Sequence, residues 1–168
     1  MDVRPGRIED VDAVMALIRR VVPLMQAAGN WQWDDGYPNQ EGFTRDAERS
    51  QLWVAEEAGR LAGVAAITLD QEPEYREVGW DPAEPAVVVH RLAVDPGFRG
   101  RGVAKALMAQ AEAVARDWGI PILRVDTNTE NAAMQTLFLR MGYAFAGETG
   151  LAARPGRRFL CFGKRLED

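Results

Sequence analysis

Apolar and polar positions along this chain fall into alternating blocks of strand and helix spacing. Val3 to Ile8 predicts a short strand. Glu9-Asp10 then opens a helix whose apolar face is Val11, Val14, Leu17, Ile18, Val21 and Leu24. Pro23 predicts a kink or a division of that helix, and Gly29-Asn30 its end. After the polar, aromatic segment 31–38, Asn39 is placed to cap a second helix over Gln40–Arg49. Gln51–Glu57 and Leu61–Leu69 read as a hairpin turned at Ala58-Gly59-Arg60. Asp70–Glu84 is acidic, carries prolines and predicts a long irregular loop. The β-branched run Val87–Val94 follows, then a helix from Val103 with apolar residues at 103, 104, 107, 108, 111, 114, 115 and 118, closed by Gly119 and Pro121.

Ile120–Asp126 predicts a further strand; since a helix joins it to Val87–Val94, the two are expected to run parallel. A helix starts at Thr129 or Asn131, with Ala133, Met134, Leu137, Phe138 and Met141 inward and Gly142 as its stop. Tyr143–Gly147 and Arg158–Lys164 are the last strands, separated by a Gly/Pro-rich loop. The order β–α–α–β–β–β–α–β–α–β–β predicts an α+β protein, a mixed and mostly antiparallel sheet with helices on both sides.

Composition narrows the classes. With 168 residues, 47% of them hydrophobic, the chain is long enough for one sizeable core, and a single domain over residues 1–168 is expected. No apolar run approaches the ~20 residues that cross a bilayer, and residues 1–5 contain no signal-peptide apolar region, so no membrane association and a cytoplasmic location are expected. Cys161 is the one cysteine and His90 the one histidine, which leaves no metal-ligand cluster and no internal disulfide. Net charge is −5 and the basic residues are not gathered in a stripe, which argues against nucleic acid as a partner. Whether the chain is a monomer or a homodimer stays open.

Candidate chemistry concentrates after the Val87–Val94 strand. Asp95-Pro96-Gly97 forces a turn, and Arg99-Gly100-Arg101-Gly102 opens the helix. Amides in a helix's first turn lack intrahelical acceptors and sit at the positive end of its dipole. Gly100 and Gly102 let an anion approach the backbone, and Arg99 and Arg101 add fork-shaped donors suited to phosphate. A pyrophosphate is the natural occupant. A nucleoside triphosphatase loop would need a hydroxyl after its lysine, but Ala106 follows Lys105; a dinucleotide loop would need glycine at position 105.

The spacing Arg99-x-x-Gly102-x-Ala104 resembles the Gln/Arg-x-x-Gly-x-Gly/Ala signature of the GNAT superfamily of acetyl-CoA-dependent N-acetyltransferases. Arg91-Leu92-Ala93-Val94 and the Asp-Pro-x-x-Arg-Gly turn also look like that family. So do Trp33-Asp34-Asp35-Gly36-Tyr37-Pro38, Asp126-Thr127 to Asn131, and Gly142-Tyr143, so the resemblance spans essentially the whole chain. It implies the GNAT fold, with the central strand splayed from its parallel neighbour and the pantetheine arm of acetyl-CoA in the gap. Leu92, Ala93 and Val94 would then bind that arm through their backbone, and Arg99, Gly100, Arg101, Gly102, Val103 and Ala104 would hold the diphosphate. A backbone amide near Leu92–Val94 would polarise the thioester carbonyl, an effect worth ~3 kcal/mol per donor.

The resemblance further implies direct attack by an amine, from a small molecule or a peptide terminus. A primary amine with a pKa of about 10 must first lose a proton. His90 precedes Leu92 by two residues, which in a regular strand places both on one face. Its counterpart in arylalkylamine N-acetyltransferases helps remove that proton through water; the alternative role is a core histidine that holds the strand. Glu72, Glu74 and Asp126 are other candidate bases, acting through water; for Asp126 a carboxylate bonded to local backbone at a strand end is the favoured reading. Asn131 is a pantetheine-side residue, a helix cap, or both. Phe138 stands where many members place the tyrosine that protonates the leaving thiolate, so water or Tyr37, Tyr75 or Tyr143 must substitute, or the thiolate leaves unaided. Cys161, in a late apolar strand, is expected to be inert. Trp31, Trp33, Tyr37, Tyr75 and Trp80, in the two irregular segments, are packing residues taken singly and a wall for an amine-bearing acceptor taken as a group. Two rival functions follow: a non-catalytic CoA-binding sensor, and a protein lysine or N-terminal acetyltransferase.

Overall fold

The computed structural model describes residues 1–167. Its strands are β1 (Asp2–Pro5), β2 (Leu52–Glu57), β3 (Arg60–Thr68), β4 (Val87–Val94), β5 (Ile122–Asn128), β6 (Ala144–Leu151) and β7 (Arg154–Arg165); its helices are α1 (Val11–Ala27), α2 (Gln40–Glu48), α3 (Val103–Trp118) and α4 (Ala132–Arg140). Hydrogen-bonded neighbours follow the order β1-β2-β3-β4-β5-β7-β6 in a seven-stranded mixed sheet, in which β4 and β5 are parallel. Two compact units are distinguished. The first is Met1–Ile67 with Val89–Gln110; the second is Thr68–Val88 with the chain from Ala111 onward.

In the first unit, β1, β2 and β3 form an antiparallel meander, and Asp2 pairs with Glu56 while Leu52 pairs with Ala66. Its core joins Val11, Val14, Leu17, Ile18, Val21 and Val22 of α1 to Phe43 of α2, Leu52, Val54, Val64 and Ala93. Helix α1 runs through Pro23 without a break, contrary to the expected division. Pro23 and Arg19, whose carbonyl would have accepted the missing amide, both lie on the exposed side, so the lost bond faces solvent. Val22 is buried in place of Leu24, which is exposed. Asn39 caps α2 as expected, its Oδ1 accepting from the Gly42 amide at 2.9 Å.

In the second unit, β7 pairs antiparallel with both β5 and β6. Ile120 lies just past α3 and closes its end, its amide donating to the Ala115 carbonyl at 2.9 Å, so β5 starts two residues later than predicted and runs on to Asn128. The stretch read as a Gly/Pro-rich loop is strand on both sides. Leu151 pairs with Arg154 and Gly150 with Arg158, and the register shift between them accommodates Pro155, which has no amide to contribute. Trp118 and Ala133, expected on buried faces, are exposed. Segment 70–84 is also more ordered than expected. It contains a 3-10 turn at Pro73–Val78 and wraps the buried guanidinium of Arg124, which donates to Gln71 Oε1 (2.5 Å), the Asp81 carbonyl (2.9 Å) and Glu84 Oε1 (2.6 Å). A buried charge must be paired, and this one recruits the segment as its partner.

One close approach holds the start of α3 in place. A Cβ added at Gly63 of β3 would lie 2.5 Å from Val103 Cγ1, 3.0 Å from the Ala93 carbonyl oxygen and 3.1 Å from Leu107 Cδ1. Gly63→Ala is therefore expected to destabilise the protein by about 1–3 kcal/mol through overpacking. Chemical denaturation checks it, and an unchanged midpoint and slope would contradict the contact.

Candidate functional site

Within the first unit, the end of β4, the Asp95 turn and the start of α3 form one continuous structure. Asp95 is 3% exposed. Its Oδ1 accepts from the Gly97 amide at 2.8 Å, and its Oδ2 from Arg20 Nε at 3.0 Å and Nη2 at 2.5 Å. Its own amide donates to the Ala62 carbonyl at 2.8 Å, so the turn is tied to α1 and to β3 at once. Burial pushes this carboxyl up, but the hydrogen bonds from Arg20 and from the Gly97 amide outweigh it and leave the group below its ordinary range.

The chain then passes through Gly100 at φ 78° and Gly102 at φ 77°, backbone that a residue with a Cβ rarely adopts. A Cβ added at either position meets nothing within 4 Å, so open space lies where the side chains would be. The Gly102 carbonyl accepts from the Ala106 amide at 2.9 Å, which makes it the first acceptor of α3. Helix geometry then leaves the amides of Gly102, Val103, Ala104 and Lys105 without intrahelical acceptors. Alternating φ signs over such a stretch turn backbone N–H groups into a concave anion cradle. Val103 is buried and anchors the cradle from below; Ala104 is half-buried. Arg99 is exposed. Arg101, expected at the phosphate, is exposed, contacts Glu57 Oε2 at 3.3 Å and shares the Phe98 ring with Arg60, each guanidinium 5.4 Å from its centre. A group of basic residues thus flanks the turn.

In β4, Leu92 and Val94 are half-buried and Ala93 lies in the core. Arg91 adopts φ 53°, a left-handed conformation that costs a non-glycine residue about 1–3 kcal/mol. A strand interrupted in this way does not keep strict alternation across residue 91, so the two-residue spacing fails as an argument for one face shared by His90 and Leu92. His90 is half-buried. The Arg91 guanidinium donates to both oxygens of Asp46, Nε to Oδ2 at 2.8 Å and Nη2 to Oδ1 at 2.7 Å, and is also hydrogen-bonded to the Tyr37 side chain.

The aromatic residues singled out from the sequence separate. Trp31 is 48% exposed, while Trp33 at 4% is part of the first unit's core and its carbonyl accepts from Gln26 Nε2 at 3.1 Å. Tyr37 is half-buried against the same core. In the second unit, Tyr75 is fully buried, its hydroxyl donating to Asp126 Oδ2 at 2.6 Å; Trp80 packs edge-on to it and lies under Arg124. Trp33 and Tyr75 therefore present no exposed ring face: both irregular segments fold back on their own units and bury their largest apolar groups. Burial, then the Asp126 charge, raises the Tyr75 hydroxyl's pKa well above its ordinary value.

Asn131 caps α4, its Oδ1 accepting from the Met134 amide at 3.2 Å. Phe138 is packed between Tyr143 and Phe162, with centroids 6.0 and 5.5 Å away. The Tyr143 hydroxyl is buried without a hydrogen-bond partner, and burial, then Glu112, raises its pKa. Of the other candidate bases, Glu74 accepts from the Ala152 amide at 3.0 Å, and Glu72 immediately precedes the 3-10 turn at 73–78 without a side-chain cap bond to it. Burial, then Asp126 and Glu77, pushes the Cys161 thiol up to about 12, which leaves little thiolate at neutral pH. Among the described residues, no three His, Cys, Asp or Glu side chains are grouped to hold a metal ion, and no helix is long and apolar enough to cross a membrane.

Sequence reasoning did not find Arg91, Asp46, Arg20 or Arg124. Asp46 left a trace: it follows the buried Phe43 by three residues on α2, which places a carboxylate on the inward stripe.

The acetyltransferase (GNAT) family profile matches residues 18–143. The chain is 26% identical over 147 residues to the uncharacterised N-acetyltransferase YesJ of Bacillus subtilis, covering 85% of this chain and 81% of that one. Other curated acetyltransferases that it matches are longer, and the chain spans 45% of one from rat and 55% of one from Streptomyces lavendulae. Among solved structures, a GNAT-family acetyltransferase from Streptococcus agalactiae superposes with a TM-score of 0.84 at 28% identity, covering 99% of this chain and 96% of that one. The Salmonella typhimurium protein yncA, solved with its cofactor acetyl-CoA, superposes at 0.75 with 20% identity, covering 100% and 95%.

Because the folded Asp95 carboxyl lies below its unfolded value of about 3.9, its ion pair contributes stability above that pH and loses it as pH falls further. Asp95→Asn is expected to lower the melting temperature at pH 7, and the gap to the native protein should narrow below about pH 4. A gap that stays constant from pH 7 to 3 would contradict the pairing.

Proposed function

The chain belongs to the GNAT acetyltransferase family, and on that basis we propose that it is an N-acetyltransferase that carries the acetyl group of acetyl-CoA directly to a primary amine of a small molecule or peptide terminus. The observation that carries this reading is the turn at residues 99–104. Two glycines at positive φ, open space beside both, and the first amides of α3 suit a diphosphate. The surrounding Arg60, Arg99 and Arg101 add positive charge without crowding that space. Acetyl-CoA as donor is also supported by yncA, which shares the fold and was solved with that cofactor.

Acetyl-CoA supplies an activated thioester; the chain supplies grip, orientation and a proton path. Residues 99–104 anchor the diphosphate, and main-chain groups of Leu92, Ala93 and Val94 orient the acetyl end. An amide there stabilises negative charge developing on the carbonyl oxygen. His90 takes the ammonium proton through water. The amine nitrogen then forms a bond to the carbonyl carbon, the carbon–sulfur bond breaks, and the thiolate takes a proton from solvent. The buried Phe138 cannot give one, and the Tyr75 and Tyr143 hydroxyls are enclosed with raised pKa values. A thiol of pKa about 8.5 leaves without an acid more readily than an alkoxide would.

That enclosed acid position favours one second reading, a CoA-binding sensor without turnover. Acetyl-CoA consumption across amino acids, polyamines and arylalkylamines separates the two: turnover with any amine supports the enzyme, and tight binding with none supports the sensor. The diphosphate assignment has its own check. Gly102→Asp should weaken acetyl-CoA at least tenfold by calorimetry, and Gly102→Asn, with the same backbone demand and no charge, should weaken it less. Equal affinity for the native protein and Gly102→Asp would refute the assignment. His90→Ala is expected to slow turnover more than tenfold; an unchanged rate and pH profile would take His90 out of the mechanism.

A further inference from the structure

The left-handed residue in β4 is an arginine, and its guanidinium is bonded through two nitrogens to one carboxylate. Arg91, at φ 53°, occupies a conformation that its neighbours must impose. Its guanidinium meets Asp46 in a two-pronged contact at 2.8 and 2.7 Å and is hydrogen-bonded to Tyr37. Asp46 is itself fixed. It is 3% exposed, its carbonyl accepts from the Gln51 amide at 2.8 Å, and its helix is anchored by Phe43 in the core. Downstream, the Asp95 amide donates to the Ala62 carbonyl of β3 at 2.8 Å, so the residues after Arg91 run between the kink and a second fixed point. Those residues, Leu92 to Val94, are the ones assigned above to the acetyl end of the donor.

We propose that Arg91 is a positioning residue: pinned by Asp46 and Tyr37, it holds the left-handed kink of β4 and thereby aims the main-chain groups of residues 92–94 at the acetyl thioester. The proposal rests on the acetyl-CoA reading and adds to it a specific division of labour. The diphosphate is gripped by the turn at 99–104, which has its own anchor in Asp95, while the acetyl end depends on the Arg91–Asp46–Tyr37 contacts. Tyr37 thereby joins the segment between α1 and α2 to the same kink, an intramolecular role for a residue expected at the acceptor.

Calorimetry on the full chain tests this with two ligands, acetyl-CoA and 3′-phosphoadenosine 5′-diphosphate, which carries the diphosphate and no pantetheine. Arg91→Ala should weaken acetyl-CoA at least tenfold and the diphosphate fragment less than twofold. Arg91→Gly, which lacks the same side chain but adopts positive φ freely, should recover at least threefold of that loss. Where Arg91→Ala does not fold, Asp46→Asn should show the same ligand-selective loss, threefold or more, with melting monitored alongside. Glycine no better than alanine, or both ligands weakened alike by either substitution, would overturn the positioning role. If the native protein binds neither ligand, the acetyl-CoA reading fails first and this inference with it; if it binds both and the selectivity is missing, the positioning role alone fails.

Discussion

The buried carboxylate of Asp95 is the constraint on which the rest of the candidate site depends. One oxygen takes the Gly97 amide and so sets the turn; the other takes two nitrogens of Arg20 and so ties that turn to α1. A carboxylate out of water is costly unless its lone pairs are filled, and here they are filled by groups that also define the local backbone. The glycines follow immediately, and the direction in which they present α3's first amides is inherited from this turn. Gly63 completes the arrangement from below, because its missing side chain is the space that Val103 occupies.

The two units rely on paired buried charge in a similar way. In the first, Asp46 and Arg91 join α2 to β4; in the second, Arg124 gathers Gln71, Asp81 and Glu84 around itself and orders a segment that would otherwise have little reason to stay in place. Removing one member of such a pair leaves a charge without a partner, which is why these contacts act as local clamps. Tyr75, whose hydroxyl meets Asp126, and Trp80, packed against Gly163 with its Cζ2 3.0 Å from where a Cβ would stand, reinforce the second clamp with apolar burial.

Phe138 is not a tyrosine displaced from its place. It is a core residue between Tyr143 and Phe162, and the unbonded Tyr143 hydroxyl beside it is sealed from solvent. In the proposed reaction no side-chain acid is assigned to the leaving thiolate, which places the weight on main-chain stabilisation by β4.

The sequence by itself determined the order of elements, the hairpin at Gly59, the capping of α2 by Asn39 and the glycine turn before α3, and narrowed the start of α4 to Thr129 or Asn131. All of these rest on local rules: side-chain spacing, capping geometry and backbone freedom within a few residues. Tertiary structure decided the rest. It carried α1 through Pro23 because the lost bond faces solvent, extended β6 and β7 across Pro155 by a register shift, drew Trp33 and Tyr75 inward, and placed Arg91 in a left-handed conformation. Each of those outcomes depends on partners distant in sequence, such as Asp46 for Arg91 and Asp126 for Tyr75. Burial of a charge or a ring is a property of the assembled neighbours, and no window of adjacent residues contains it.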